Sequence, residues 1–313
     1  MNETISLQIN KCKTFIDFML SQQQWSGLQK SDVESWLKNF KDVQPEERLL
    51  VYKLLSNIIY FSEADVITAL KEGIYKCLYY GVILEKQINA KFSMSQQALA
   101  AVCQEELENT YFIPLLDSNS PHESGNYIMR LLVQQNIIQP RQSVFLESLP
   151  DNFISRKIKR LVVVDDCVGS GHQLLDFWTS ATVDINDNVI TLAELCEKYG
   201  VEANYLTLFG YDKSIDMLQG LLRNLHIYCV RKLTDTQRVF QNGAYIWKDN
   251  DECEAAKDLF EGLCADAGIP LYGYNELDFA FIMHRTIPDW TLPLFWKENA
   301  DWNLLMRRKN SND

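Results

Sequence analysis

Between Lys159 and Leu175 the sequence sets two carboxylates beside a glycine turn: Val162-Val163-Val164-Asp165-Asp166-Cys167-Val168-Gly169-Ser170-Gly171-His172-Gln173. Glycines let the backbone approach a phosphate closely, and a helix starting just beyond them points N–H groups at it. Adjacent carboxylates repel that same phosphate. They suit the hydroxyls of a ribose, or a Mg2+ ion bridging ribose and diphosphate oxygens. One short loop can therefore take a phosphate through Gly169, Ser170, Gly171, His172 and Gln173, and a sugar through Asp165 and Asp166. A Gly-x-Gly alone is a weak signal; strand, two acids, glycine turn and helix in that order are more specific.

Such a loop needs a strand to deliver it. Arg160 to Val164 is apolar and β-branched, as a strand covered on both faces should be, and Leu206 to Phe209 reads the same way. Helical patterns over Gln173–Thr179, Leu192–Tyr199 and Ile215–Leu222 alternate with strand patterns over Tyr205–Phe209 and His226–Val230. The alternation implies parallel strands joined by crossovers, with ligands collecting at the strands' carboxyl ends. Upstream, Tyr111–Leu116 reads as a strand, followed by a polar loop (Asp117–Asn126), a helix (Tyr127–Asn136) and a short strand (Ser143–Leu146).

The first hundred or so residues read as helices. One spans Ile5–Gln22, and a capping box of Ser31 with Glu34 opens the next. Gln44-Pro45-Glu46-Glu47 opens a third, with proline and acids in its first turn, and Ser62 with Asp65 opens a fourth running through Tyr79. The expected division is a helical region over 1–105 and a Rossmann-like, mostly parallel α/β domain over 106–313 that ends in a cap.

The Val162–Gln173 segment resembles the 5-phosphoribosyl-1-diphosphate (PRPP) motif of type I phosphoribosyltransferases: an apolar strand, two acids, two mostly apolar residues and a loop of small residues. The resemblance implies that fold and a transferase activity, with Asp165 and Asp166 on the ribose hydroxyls and Mg2+, and residues 169–173 on the 5′-phosphate. The family's diphosphate loop, which follows an early strand, falls here on Ser118–Asn126, with Ser124 and Gly125 as contacts and Arg130 supplying the positive charge. The sequence departs from the pattern where many members carry threonine or aspartate at Gly169 and threonine at Gln173.

A narrower resemblance joins the N-terminal helices, the Asp-Asp-x-x-Gly-Ser-Gly loop and the ending His284-Arg285-Thr286-Ile287-Pro288-Asp289-Trp290. Together they look like the phosphoribosyltransferase-like effectors of bacterial anti-phage conflict systems, including retron-associated ones. That resemblance implies PRPP or a nucleotide as ligand, with chemistry at the anomeric carbon and cap contacts from His284 and Arg285. It also implies a protein partner, or a reverse transcriptase–nucleic acid complex, held by the N-terminal helices, or self-association into a homo-oligomer.

Two other classes stay open. Asp165 followed by Gly169-Ser170-Gly171 also fits the S-adenosylmethionine loop of a methyltransferase, with Leu206–Asp212 as a second strand ending in a ribose-binding acid. Against it, Asp212 lies well beyond the roughly 20 residues that separate such elements, and no Asn/Asp-Pro-Pro-Tyr tetrapeptide is present. The same fold without turnover is a nucleotide sensor or scaffold.

Composition narrows the partners. A net charge of −12 opposes nucleic acid held mainly through its phosphates, yet it leaves room for a small phosphorylated ligand held by backbone amides. Eight cysteines without a Cys-x-x-Cys pair, and only four histidines, suit reduced thiols rather than disulfides or structural zinc. No run approaches the roughly 20 apolar residues of a membrane span, and Met1-Asn2-Glu3-Thr4 lacks a signal-peptide start. The expectation is a cytoplasmic protein without a membrane partner.

Overall fold

The computed structural model describes residues 3–116, 124–155, 158–185 and 187–308. The chain opens with α1 (Glu3–Ser21), α2 (Lys30–Leu37), α3 (Pro45–Ser56), β1 (Ile59–Phe61) and α4 (Glu63–Ile74). A π-helical turn, Tyr75–Tyr79, leads into α5 (Tyr80–Asn89), and α6 (Gln96–Glu108) follows. Next come β2 (Thr110–Pro114), α7 (Ser124–Gln134), α8 (Leu149–Ser155), β3 (Arg160–Val168), α9 (His172–Ser180) and the hairpin β4 (Thr182–Ile185) and β5 (Asn188–Thr191). The remainder is α10 (Leu192–Tyr199), β6 (Glu202–Tyr211), α11 (Asp212–Leu221), β7 (His226–Leu233), α12 (Asn250–Ala267) and β8 (Phe281–Met283).

Two compact units divide these elements: residues 1–66 with 233–313, and residues 67–232. Drawn by contacts in space, they do not follow the 1–105 and 106–313 boundary expected along the chain.

The first unit joins both ends of the sequence. Strand β1 pairs in parallel with β8, Tyr60 opposite Ile282. Its core is aromatic: Trp36 packs on Phe40 and Phe295, and Phe40 on Phe260 and Trp302. The Trp36 and Trp302 indoles both donate to the Leu294 carbonyl at 2.8 Å, which satisfies two buried N–H groups with one acceptor. Helix α3 starts as its proline and acids require, with the Gln44 amide donating to Glu47 at 2.8 Å. The cap of α2 differs from expectation. The helix begins at Lys30 and the box is Gln29 with Asp32, whose carboxylate accepts the Gln29 amide at 2.9 Å, so Ser31 falls inside the first turn.

The second unit holds the expected parallel α/β core. Four strands lie in the order β2-β3-β6-β7, with β2–β3 and β3–β6 parallel. One face of this sheet carries α8, α9, α10 and α11. There Leu161, Val163 and Tyr205 pack with Phe153 of α8, Trp178 of α9, Leu195 of α10 and Leu218 of α11. The opposite face meets α4, where a Cβ on Gly73 would lie 2.7 Å from Leu206 and 2.9 Å from Val230. Two strand expectations change. Ser143–Leu146 forms a single bridge, Ser143 to Phe112, because 3-10 turns close in on both sides of it. Strand β3 does not stop at Val164: its ladder with β6 continues through Asp165–Thr207, Cys167–Phe209 and Val168–Gly210.

At the amino end of β3, buried Arg160 donates to Glu202 at 2.9 Å, to Glu106 at 3.3 Å and to the Leu78 carbonyl at 3.4 Å. Burial works to raise the Glu202 carboxyl, but the hydrogen bond and charge of Arg160 outweigh it and hold Glu202 below its ordinary value. A depressed carboxyl contributes stability that is present above its unfolded value and is lost as pH falls through the folded one. Because Glu202 is partly exposed, Arg160→Met is expected to cost about 1–3 kcal/mol rather than the full penalty of a buried pair. That cost should shrink between about pH 5 and about pH 3, where glutamates protonate, as urea unfolding at both values will show.

Candidate functional site

The expected site lies where β3 leaves the sheet. Asp165 and Asp166 are both buried, 2% and 5% exposed, on the last stretch of β3. Successive side chains on a strand leave by opposite faces. Asp165 shares the face of Val163 and Tyr205, beneath the crossover helices, whereas Asp166 leaves on the face of Val162 and Val164. The two acids are thus displayed on either side of one strand end, not side by side.

Asp165 is held by the protein itself. Its Oδ1 accepts the Asp166 amide at 2.9 Å, and its Oδ2 accepts the Tyr205 hydroxyl at 3.1 Å. Burial, with the Asp165 charge beside it, pushes the Tyr205 phenol well above its ordinary value, so Tyr205 keeps its proton and donates. Thr207, also fully buried, donates to the Phe209 carbonyl at 3.2 Å. In the sequence Tyr205 and Thr207 read as strand residues only. Their signal is two hydroxyls spaced two apart in the otherwise apolar stretch Tyr205–Phe209, but its meaning depends on register with β3.

Beyond Val168 the chain turns through Gly169 and Ser170 to Gly171, which has φ +84° and caps α9 without a side-chain hydrogen bond. A Cβ on Gly171 would sit 2.8 Å from Leu218, so both conformation and space call for glycine. The His172 amide reaches Ser170 Oγ at 3.4 Å, and the first helical bond runs from the Leu175 amide to the Gly171 carbonyl at 3.1 Å. His172 and Gln173 are exposed in the first turn of α9, and Ser170 is half-buried. This is the backbone arrangement that favours an anion at a helix start.

The expected diphosphate loop lies mostly outside the described residues, which omit 117–123. Ser124 is the first residue of α7. Gly125 is buried against the end of β2, where a Cβ would be 2.4 Å from the Leu115 carbonyl oxygen. The Leu115 amide in turn donates to Val164 at 2.9 Å, so the start of α7 stands beside the strand that carries Asp165. Close packing thus explains Gly125 without any ligand. Arg130 is exposed on α7, 6.0 Å from the Tyr127 ring centre. His284 and Arg285 belong to the first compact unit, not to the one that carries the acid pair. There the His284 amide donates to Phe61 at 2.8 Å and its Nδ1 is 3.0 Å from Ser26 Oγ.

Among the described residues no three His, Cys, Asp or Glu side chains gather as a metal cluster, and no helix is long and apolar enough to cross a membrane. No curated protein and no solved structure matches the chain. One family model, PRTase-CE, matches residues 33–308. With most of its length inside that match, and the acid pair of β3 leading into the glycine turn of a parallel α/β sheet, the chain belongs to the phosphoribosyltransferase-like PRTase-CE family.

Proposed function

We propose that the chain acts at the anomeric carbon of a ribosyl phosphate, PRPP or a nucleotide, bound over the carboxyl ends of β2 and β3. In this reading Asp165 and Asp166 hold the ribose from the two sides of β3. Gly169, Ser170, Gly171, His172 and Gln173 take the 5′-phosphate, and Ser124 and Gly125 take the departing diphosphate. The observation that carries it is the delivery of two buried carboxylates by one strand straight into a glycine turn and helix start.

The bond from C1 to the leaving oxygen or nitrogen breaks with its electron pair, and positive charge builds on C1 and the ring oxygen. A fixed carboxylate in a water-poor site stabilises that charge most strongly as it develops. Base or water then bonds to C1, giving transfer or breakdown. Asp165 or Asp166 would hold a Mg2+ ion, which would supply charge neutralisation at the diphosphate. The defence-effector role, and a partner held through the N-terminal helices, rest on the resemblance of the acid–glycine loop and of the His284 ending. The excess of acidic side chains favours a protein surface over nucleic acid for that contact.

Purified chain with Mg2+ and PRPP or nucleotides is expected to release diphosphate, free base or ribose phosphate. Calorimetry that found S-adenosylmethionine bound, and neither PRPP nor any nucleotide, would overturn the reading.

A further inference from the structure

We propose that the hairpin of α5 and α6 is the surface on which a second copy of this chain docks, with the two hairpins antiparallel about a twofold axis. The proposal stands apart from the ribosyl reading above, and it commits self-association to one face of the unit formed by residues 67–232.

Neither α5 nor α6 buries a single residue. Helices in folded proteins draw most of their stability from packing an apolar face, and α5 turns apolar side chains outward. Tyr80, Leu84 and Ile88 recur at every fourth position, so they form one stripe along the helix, and all three are exposed, Ile88 to 55%. Phe92, just past the helix end, is 69% exposed. A contiguous apolar patch of this kind marks an interaction surface. Gly81 neighbours Leu84 on the stripe, and a Cβ there would meet nothing within 4 Å. Packing within the chain therefore does not call for glycine at this position, where it weakens the helix; a second backbone laid close across the stripe does.

The charges of the hairpin identify the occupant. Arg160 donates both to the Leu78 carbonyl and to Glu106, which places the end of α6 beside the start of α5, so the two helices run antiparallel. Exposed Lys91 marks the tip of the hairpin and exposed Glu108 its root, while Glu85 and Lys86 between them balance in charge. At the root Glu105 already lies 3.3 Å from Lys159, whereas Glu108 accepts from the neutral Gln104 amide at 2.7 Å. An isologous contact needs a surface that complements itself. A twofold axis between Leu84 and Ile88 sets Leu84 of one copy against Ile88 of the other and Tyr80 against Phe92. The same axis carries Lys91 at each tip toward Glu108 at the opposite root. An unrelated partner requires no such match of tip and root; a second copy does.

The test is sedimentation equilibrium on the full chain across the micromolar range. Wild type is expected to be a dimer, and Leu84→Glu with Ile88→Glu to weaken it at least about a hundredfold. Both side chains are exposed, so the far-ultraviolet circular dichroism of that variant should stay that of wild type. Lys91→Glu and Glu108→Lys are each expected to weaken the dimer about tenfold, and the two together to restore it to within about threefold of wild type. A monomer at every concentration overturns the proposal. So does a dimer that Leu84→Glu with Ile88→Glu leaves intact, which would place the contact on another surface. Charge reversals whose losses add instead of cancelling overturn the antiparallel seating, and the proposal with it. Should the double glutamate variant not fold, the charge-reversal series decides by itself.

Discussion

Asparagine at both Asp165 and Asp166 is expected to lower ribosyl turnover by about a thousandfold or more, equivalent to about 4 kcal/mol of transition-state stabilisation, in a chain that still folds. The amide keeps the shape of the carboxylate and removes its charge, so the positive charge that develops at C1 loses its fixed counterpart. Each single variant should lose part of that turnover. Asp165→Asn should also destabilise, because its one amide oxygen can accept from Tyr205 or from the Asp166 amide but not fully from both. Its amide nitrogen then faces a donor, and a buried donor left unpaired costs about 1–3 kcal/mol. Product release and urea unfolding on the same preparations measure both effects. A double variant with wild-type turnover removes the acid pair from the chemistry.

The second large effect is expected at Gly171. Alanine there must adopt φ +84°, which costs about 1–2 kcal/mol, and its Cβ meets Leu218 at 2.8 Å, which adds about 1–3 kcal/mol of overpacking. The sum, about 2–5 kcal/mol, falls on the turn that aims the α9 amides, so PRPP affinity should fall with stability. Leu218→Ala in the same chain opens the space without changing φ. Comparison of Gly171→Ala in the two backgrounds should therefore show the overpacking part relieved and the backbone part intact. Equal losses in both would assign the whole cost to conformation.

The sequence was most informative where local pattern and local structure coincide. The β-branched run at Arg160–Val164, the proline-and-acid start at Gln44–Glu47 and the Ser62–Asp65 cap all appear where residue types alone place them. It was least informative where the partner is distant. Two adjacent carboxylates look like the end of a strand, because nothing nearby says that Tyr205 will accommodate one of them; only the β3–β6 register does. The same holds for His284. Read along the chain it belongs to the cap of the α/β domain, but parallel pairing of Ile59–Phe61 with Phe281–Met283 draws it to Ser26. Gly125 shows a different gap: in the sequence it reads as a diphosphate contact, but the close approach to Leu115 that requires glycine there is a property of how α7 meets β2.

That pairing of β1 with β8 also sets an order of events during synthesis. The ribosome releases Trp36 and Phe40 long before Phe260, Phe295 and Trp302, the rings that cover them. Throughout that interval the early aromatic surface lacks those C-terminal rings, while the contiguous stretch from 67 to 232 is emerging. Contacts between such remote segments form slowly, and apolar surface exposed in the meantime invites aggregation or chaperone capture. A nascent chain arrested before α12 would therefore be a client of the folding machinery.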